Sequence, residues 1–160
     1  MLSKAKTYLL LIAAAFLSGC DDSYVSSIPD YQVNLNLNLT TTYSTFKNSV
    51  NQYLLFKTRK LETDRIGYGG IIVCSGIWTD DSGNTIYYAF DLACPYEAKK
   101  DVTVAPPIKI EDYTGRVTCE GCGTVYDIGN GYGNPIEGPS KEVLKKYKTA
   151  LSGDVLYIYR

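Results

Sequence analysis

The chain has 160 residues, room for one ordinary domain and not comfortably for two. Hydrophobic residues make up 45% and charged residues 21%, a globular balance, and a net charge of −1 leaves no basic field to recruit nucleic acid. Histidine is absent, which excludes Ser–His and Cys–His nucleophile pairs, histidine-based zinc sites and any imidazole switch near neutral pH.

Fifteen tyrosines, with 14 glycines and 6 prolines, point to strands punctuated by turns and so to an all-β fold. Residues 1–19 read as a signal peptide. Lys4 and Lys6 form its basic start, and Tyr8 to Leu17 is an apolar run of roughly ten residues, too short to span a bilayer. The run ends in Leu17-Ser18-Gly19-Cys20, which resembles the lipobox of bacterial lipoproteins. That resemblance implies cleavage before Cys20, lipidation of its thiol and anchorage to a membrane of the cell envelope, on the periplasmic or cell-surface face. Cleavage would leave 141 residues with 14 basic and 17 acidic side chains, a net charge of −3. Residues 20–29 are polar and read as a tether, and 30–160 as one β domain.

Within the domain, residues 31–39 alternate apolar and polar strictly, as a half-buried strand does. Residues 40–52 are polar and irregular. Residues 53–57 form a short apolar strand, and Ile71 to Ser75 a strand buried on both faces. Residues 80–84 make a hairpin turn and 85–92 the returning partner. Further strands are expected at 102–104, 116–118, 124–128 and 154–159, with a Gly- and Pro-rich loop over 130–139. In 140–151, Leu144, Tyr147 and Leu151 carry helical spacing.

Five cysteines are present. With Cys20 taken as the anchor, Cys74 reads as a buried apolar residue of the central strand. Cys94 lies in a turn after a strand (Asp91-Leu-Ala-Cys-Pro-Tyr-Glu97). Cys119 and Cys122 lie in a second turn (Cys119-Glu-Gly-Cys-Gly123). A CxxC facing a second cysteine turn points to metal binding, a redox pair or a disulfide.

These two loops resemble those of Rieske iron–sulfur domains, whose C-x-H and C-x-x-H motifs hold a [2Fe-2S] cluster. The similarity extends from about Gly67 to Arg160. Residues 86–91 resemble the strand entering the first loop, and 123–128 the strand leaving the second. Gly138-Pro139 resembles the proline loop over the cluster. Leu144, Tyr147 and 153–156 resemble the closing strands, so 140–151 is read as a turn followed by a strand. The resemblance implies an antiparallel β-sandwich with a small cluster-binding-like lobe at about 94–139.

The departure from the family lies in the ligands. Tyr96 and Cys122 stand where the two histidines belong, so the candidate cluster-loop positions are Cys94, Tyr96, Cys119 and Cys122, with Cys94, Cys119 and Cys122 as candidate metal ligands. A phenol has a pKa of about 10, so Tyr96 could ligate only if iron lowered it. A thiolate in place of imidazole adds negative charge and lowers the potential. The expected protein is therefore an envelope lipoprotein without a normal [2Fe-2S] cluster and without catalytic activity. It would serve a binding or structural role through a membrane anchor and a protein partner of unknown identity. The alternatives are an electron carrier whose cluster uses Cys and Tyr ligands, or a domain held by a disulfide or zinc.

Overall fold

Strict alternation forms the first strand. In β1 (Val33–Asn38), Val33, Leu35 and Leu37 are buried and the asparagines between them face outward. The computed structural model describes residues 25–101, 108–111 and 114–160. One antiparallel sheet runs in the order β2 (Tyr53–Phe56), β4 (Ile71–Thr79), β5 (Thr85–Asp91), β10 (Lys146–Ser152), β11 (Val155–Tyr159), β1 and β3 (Arg65–Ile66). A smaller antiparallel sheet runs in the order β6 (Ile108–Glu111), β7 (Arg116–Cys119), β8 (Val125–Asp127), β9 (Asn134–Glu137). The fold is all-β apart from a short helix, α1 (Pro95–Lys100), and one turn of 3-10 helix at Ser44–Phe46.

The larger sheet curls around a core to which all its strands contribute. Leu35 and Leu37 face Ile158 and Leu156, Phe56 comes from β2, Val73 from β4, Tyr87 and Ala89 from β5, Tyr147 from β10, and Ile66 packs in from β3. Phe46, 3% exposed, plugs this core from the 3-10 turn and meets the Tyr87 ring at 5.4 Å. β4 is buried on both faces, as its run of apolar residues predicts. Ile71 and Val73 enter the first core, while Ile72 and Cys74 turn outward into a second. That second core lies against the smaller sheet, whose Val117, Cys119 and Tyr126 are all fully buried.

Three local expectations are revised, and one strand lies outside those expected. The Gly- and Pro-rich stretch 130–139 contains β9, an edge strand that tolerates Pro135 because its far side needs no ladder hydrogen bond. Ile108–Glu111 (Ile-Lys-Ile-Glu) forms a strand outside those expected, although its residues alternate apolar and polar. The turn after Cys94 is a helix, opened by Pro95 at its first position and ending in Lys99 and Lys100, which suit the negative C-terminal end of the dipole. The end of the stretch read as a tether is docked. Ile28 is 1% exposed, Ser27 is bonded to the Glu142 carboxylate through its N–H (2.6 Å) and hydroxyl (2.7 Å), and Lys145 Nζ donates to the Ile28 and Pro29 carbonyls at 3.0 and 2.9 Å. The reading of 140–151 as turn then strand agrees with β10. The expected strand at 102–104 and the whole of 1–24, Cys20 included, lie outside the described residues.

Candidate functional site

The first loop is fixed by a buried carboxylate. At the end of β5, Asp91 accepts hydrogen bonds from the N–H groups of Tyr68 (2.9 Å), Gly69 (2.9 Å) and Ala93 (2.8 Å), and from the Tyr147 hydroxyl. Gly69 is required by closeness, since a Cβ there would sit 2.7 Å from the Ala93 nitrogen and from the carboxylate. Burial pushes the Asp91 carboxyl up, and these four hydrogen bonds oppose the rise. Burial, with the adjacent carboxylate, raises Tyr147. This knot hands the chain to Cys94, which caps α1 and accepts from the Ala98 N–H at 3.0 Å through its carbonyl.

The second loop is a tight hairpin. The Cys119 N–H donates to the Thr124 carbonyl and the Gly123 N–H to the Cys119 carbonyl, both at 2.8 Å, with Gly123 at φ +71. The Gly138–Ser140 segment crosses beside this hairpin. Gly138 has φ +94, and a Cβ on it would meet Thr124 Cα at 2.6 Å. The Ser140 N–H then donates to Thr124 Oγ1 at 3.2 Å.

The two loops bring three sulfurs together. The Sγ atoms of Cys94, Cys119 and Cys122 all lie within 4.8 Å of one another, and those of Cys94 and Cys122 are 3.7 Å apart. Cys94 and Cys119 are fully buried and Cys122 is partly exposed. Tyr126 Oη lies 3.2 Å from Cys94 Sγ, and Thr124 Oγ1 lies 3.1 Å from Cys122 Sγ. Hydrogen bonding from Cys119, with help from Tyr126, holds the Cys94 thiol below its ordinary value against the effect of burial. The same bond to Cys94 raises Cys119, and burial raises Tyr126.

Of the positions singled out by sequence, Cys94, Cys119 and Cys122 converge. Tyr96 is half-buried against the second core, with the Lys100 ammonium 4.3 Å from its ring centroid. The phenol that meets a sulfur is Tyr126, a β8 residue with no sequence signal beyond strand alternation. Cys74 stands apart from the trio. It is 3% exposed, its Sγ is 3.5 Å from the Ile128 carbonyl, and burial pushes its thiol up to about 12.

The donor chemistry decides which groups the site could hold. A Rieske cluster places two imidazoles on one iron, and the chain has no histidine, so these residues do not fit that group. A single tetrahedral ion with metal–sulfur bonds of about 2.3 Å separates its sulfurs by about 3.8 Å. The 3.7 Å spacing of Cys94 and Cys122 matches that geometry. No protein-family model matches the chain, and no curated protein matches it either.

Proposed function

We propose that this chain is a non-catalytic envelope lipoprotein of Rieske-like architecture in which a three-thiolate site takes one soft metal ion in place of a two-iron cluster. The observation that carries the reading is the grouping of the Cys94, Cys119 and Cys122 sulfurs within 4.8 Å across two loops far apart in sequence. Thiolates select soft ions, zinc above all, and three of them leave one position for a further oxygen or sulfur donor. Tyr126, whose Oη lies 3.2 Å from Cys94 Sγ, offers a phenol oxygen beside the three sulfurs. Such an ion would cross-link α1 to the β7–β8 hairpin and couple metal binding to the stability of the lobe. The domain would act as a binding or structural module, with Cys20 as its membrane anchor.

The test is elemental analysis of the full-length protein purified without oxygen or chelator, together with acid-labile sulfide. One equivalent of zinc per chain with no sulfide is expected, and Cys122→Ser should abolish it. Two irons and two sulfides per chain would replace this reading with the altered-cluster electron carrier.

The same 3.7 Å approach of Cys94 and Cys122 favours a second reading, a disulfide between them. It calls for only a modest closing movement, and the oxidising envelope suits it. Intact mass under non-reducing conditions distinguishes the two, since the disulfide form is two hydrogens lighter and free of metal.

A further inference from the structure

We propose that the outer face of the larger sheet, where β3, β1, β11 and β10 lie side by side, binds an acidic polysaccharide. Register puts Arg65 opposite Asn34, Asn34 opposite Tyr159, and Tyr159 opposite Lys148. Residues directly opposed on antiparallel strands share a face. The alternate residues Val33, Leu35 and Ile158 fill the core, so this row faces out. It reads cation, amide, phenol, cation across four strands. The next row adds Asn36 and Tyr157, and the two tyrosines are 42% (Tyr159) and 39% (Tyr157) exposed.

The row borders a shallow concavity of about 750 Å³ lined by Arg65, Lys148 and Arg160, with Gln32 and Asn34 among its polar neighbours and no acidic side chain among the described residues. The two guanidiniums are already positioned. Arg65 Nη1 donates to the Glu62 and Asp64 carbonyls at 2.7 and 2.9 Å, and Arg160 Nη2 pairs with Asp30. Each is held through one nitrogen and keeps its other donors for a ligand. The Asp30 carboxylate is already paired with both Lys145 and Arg160. The Lys148 ammonium has no ion pair or hydrogen bond among the described residues.

The ligand class follows from what these groups recognise together. A guanidinium fork matches a carboxylate or sulfate in two parallel bonds. Exposed phenol rings pack on the apolar faces of sugar rings, while amides and phenol hydroxyls bond their hydroxyl groups. Duplex nucleic acid presents a charge about every 1.7 Å, whereas this row spaces its cations with an amide and a phenol between them. A polymer with one carboxylate per sugar offers repeated partners to Arg65 and Lys148.

Calorimetric titration of the full-length chain in detergent micelles tests this, with three probes: polygalacturonate fragments, their fully methyl-esterified form, and duplex DNA. Saturable binding of polygalacturonate is expected, with the ester and DNA each about tenfold weaker or worse. Lys148→Gln should weaken polygalacturonate binding several-fold at unchanged melting temperature. Asn34→Asp, which adds a charge to the exposed row without removing a packed group, should abolish it. Equal binding of acid and ester, DNA binding as tight as polygalacturonate, no binding at all, or indifference to both variants would each overturn the proposal.

Discussion

The two cores of this domain share β4 and β5 yet differ in chemistry. The core inside the curled sheet holds aliphatic and aromatic side chains and no cysteine. The core against the smaller sheet takes in Cys74, Cys94 and Cys119, with Cys122 packed at its edge. The first is a packing device, closed by alternation from strand to strand. The second concentrates thiols where two loops meet, and among the described residues only there do sulfurs approach one another. The contrast teaches that burial of a cysteine does not make a site: Cys74 is as buried as its neighbours but lies apart, whereas the trio shares one point.

The largest expected effects test whether the cores are separable. Phe90→Ala, in the second core, should cost about 3–5 kcal/mol, and Leu37→Ala, in the first, about 2–5 kcal/mol, both read from denaturant unfolding. Only the second-core change should also speed the reaction of native cysteines with a thiol reagent. Equal acceleration by Leu37→Ala would mean that the cores respond as one.

Next in size is the knot that orients the first loop. Asp91→Asn exchanges an acceptor oxygen for a donor amide among three backbone N–H groups and the Tyr147 hydroxyl, and should cost about 2 kcal/mol. If the proposed ion is bound, the change should also lower metal content, although the residue touches no sulfur.

A smaller effect separates the cysteines themselves. Under native conditions, partly exposed Cys122 should react first with a thiol reagent. Cys74 should remain unmodified, because its thiol is buried and held near 12. Cys74→Ala should leave metal content unchanged, and a loss of metal would place Cys74 within the site.

The smallest effect lies at the docked N-terminal segment. Hydrogen bonding from Lys145, with the charges of Lys145 and Arg160, holds the Asp30 carboxyl below 3.8. Its contribution to stability is therefore present above the unfolded-state value and lost as pH falls through the lower folded-state value. The melting temperature of Asp30→Asn should lie slightly below that of the unmodified chain at neutral pH. The gap should close on acidification, and a gap that widened in acid would contradict the pairing.

The sequence by itself determined the all-β character, the strict alternation of β1, the double burial of β4 and the segregation of cysteines into two turns. Each of these follows from local periodicity or turn chemistry, which act over a few residues. Only the tertiary structure decided that the Tyr126 hydroxyl lies within hydrogen-bond distance of a sulfur, because a strand residue's partner depends on what packs against its face. It also decided that Pro135 sits in an edge strand, that Ile28 is docked by Glu142 and Lys145, and that Lys148, Tyr159, Asn34 and Arg65 share one row. These contacts join residues distant in the chain, and no local pattern encodes which strands become neighbours or how a sheet curls.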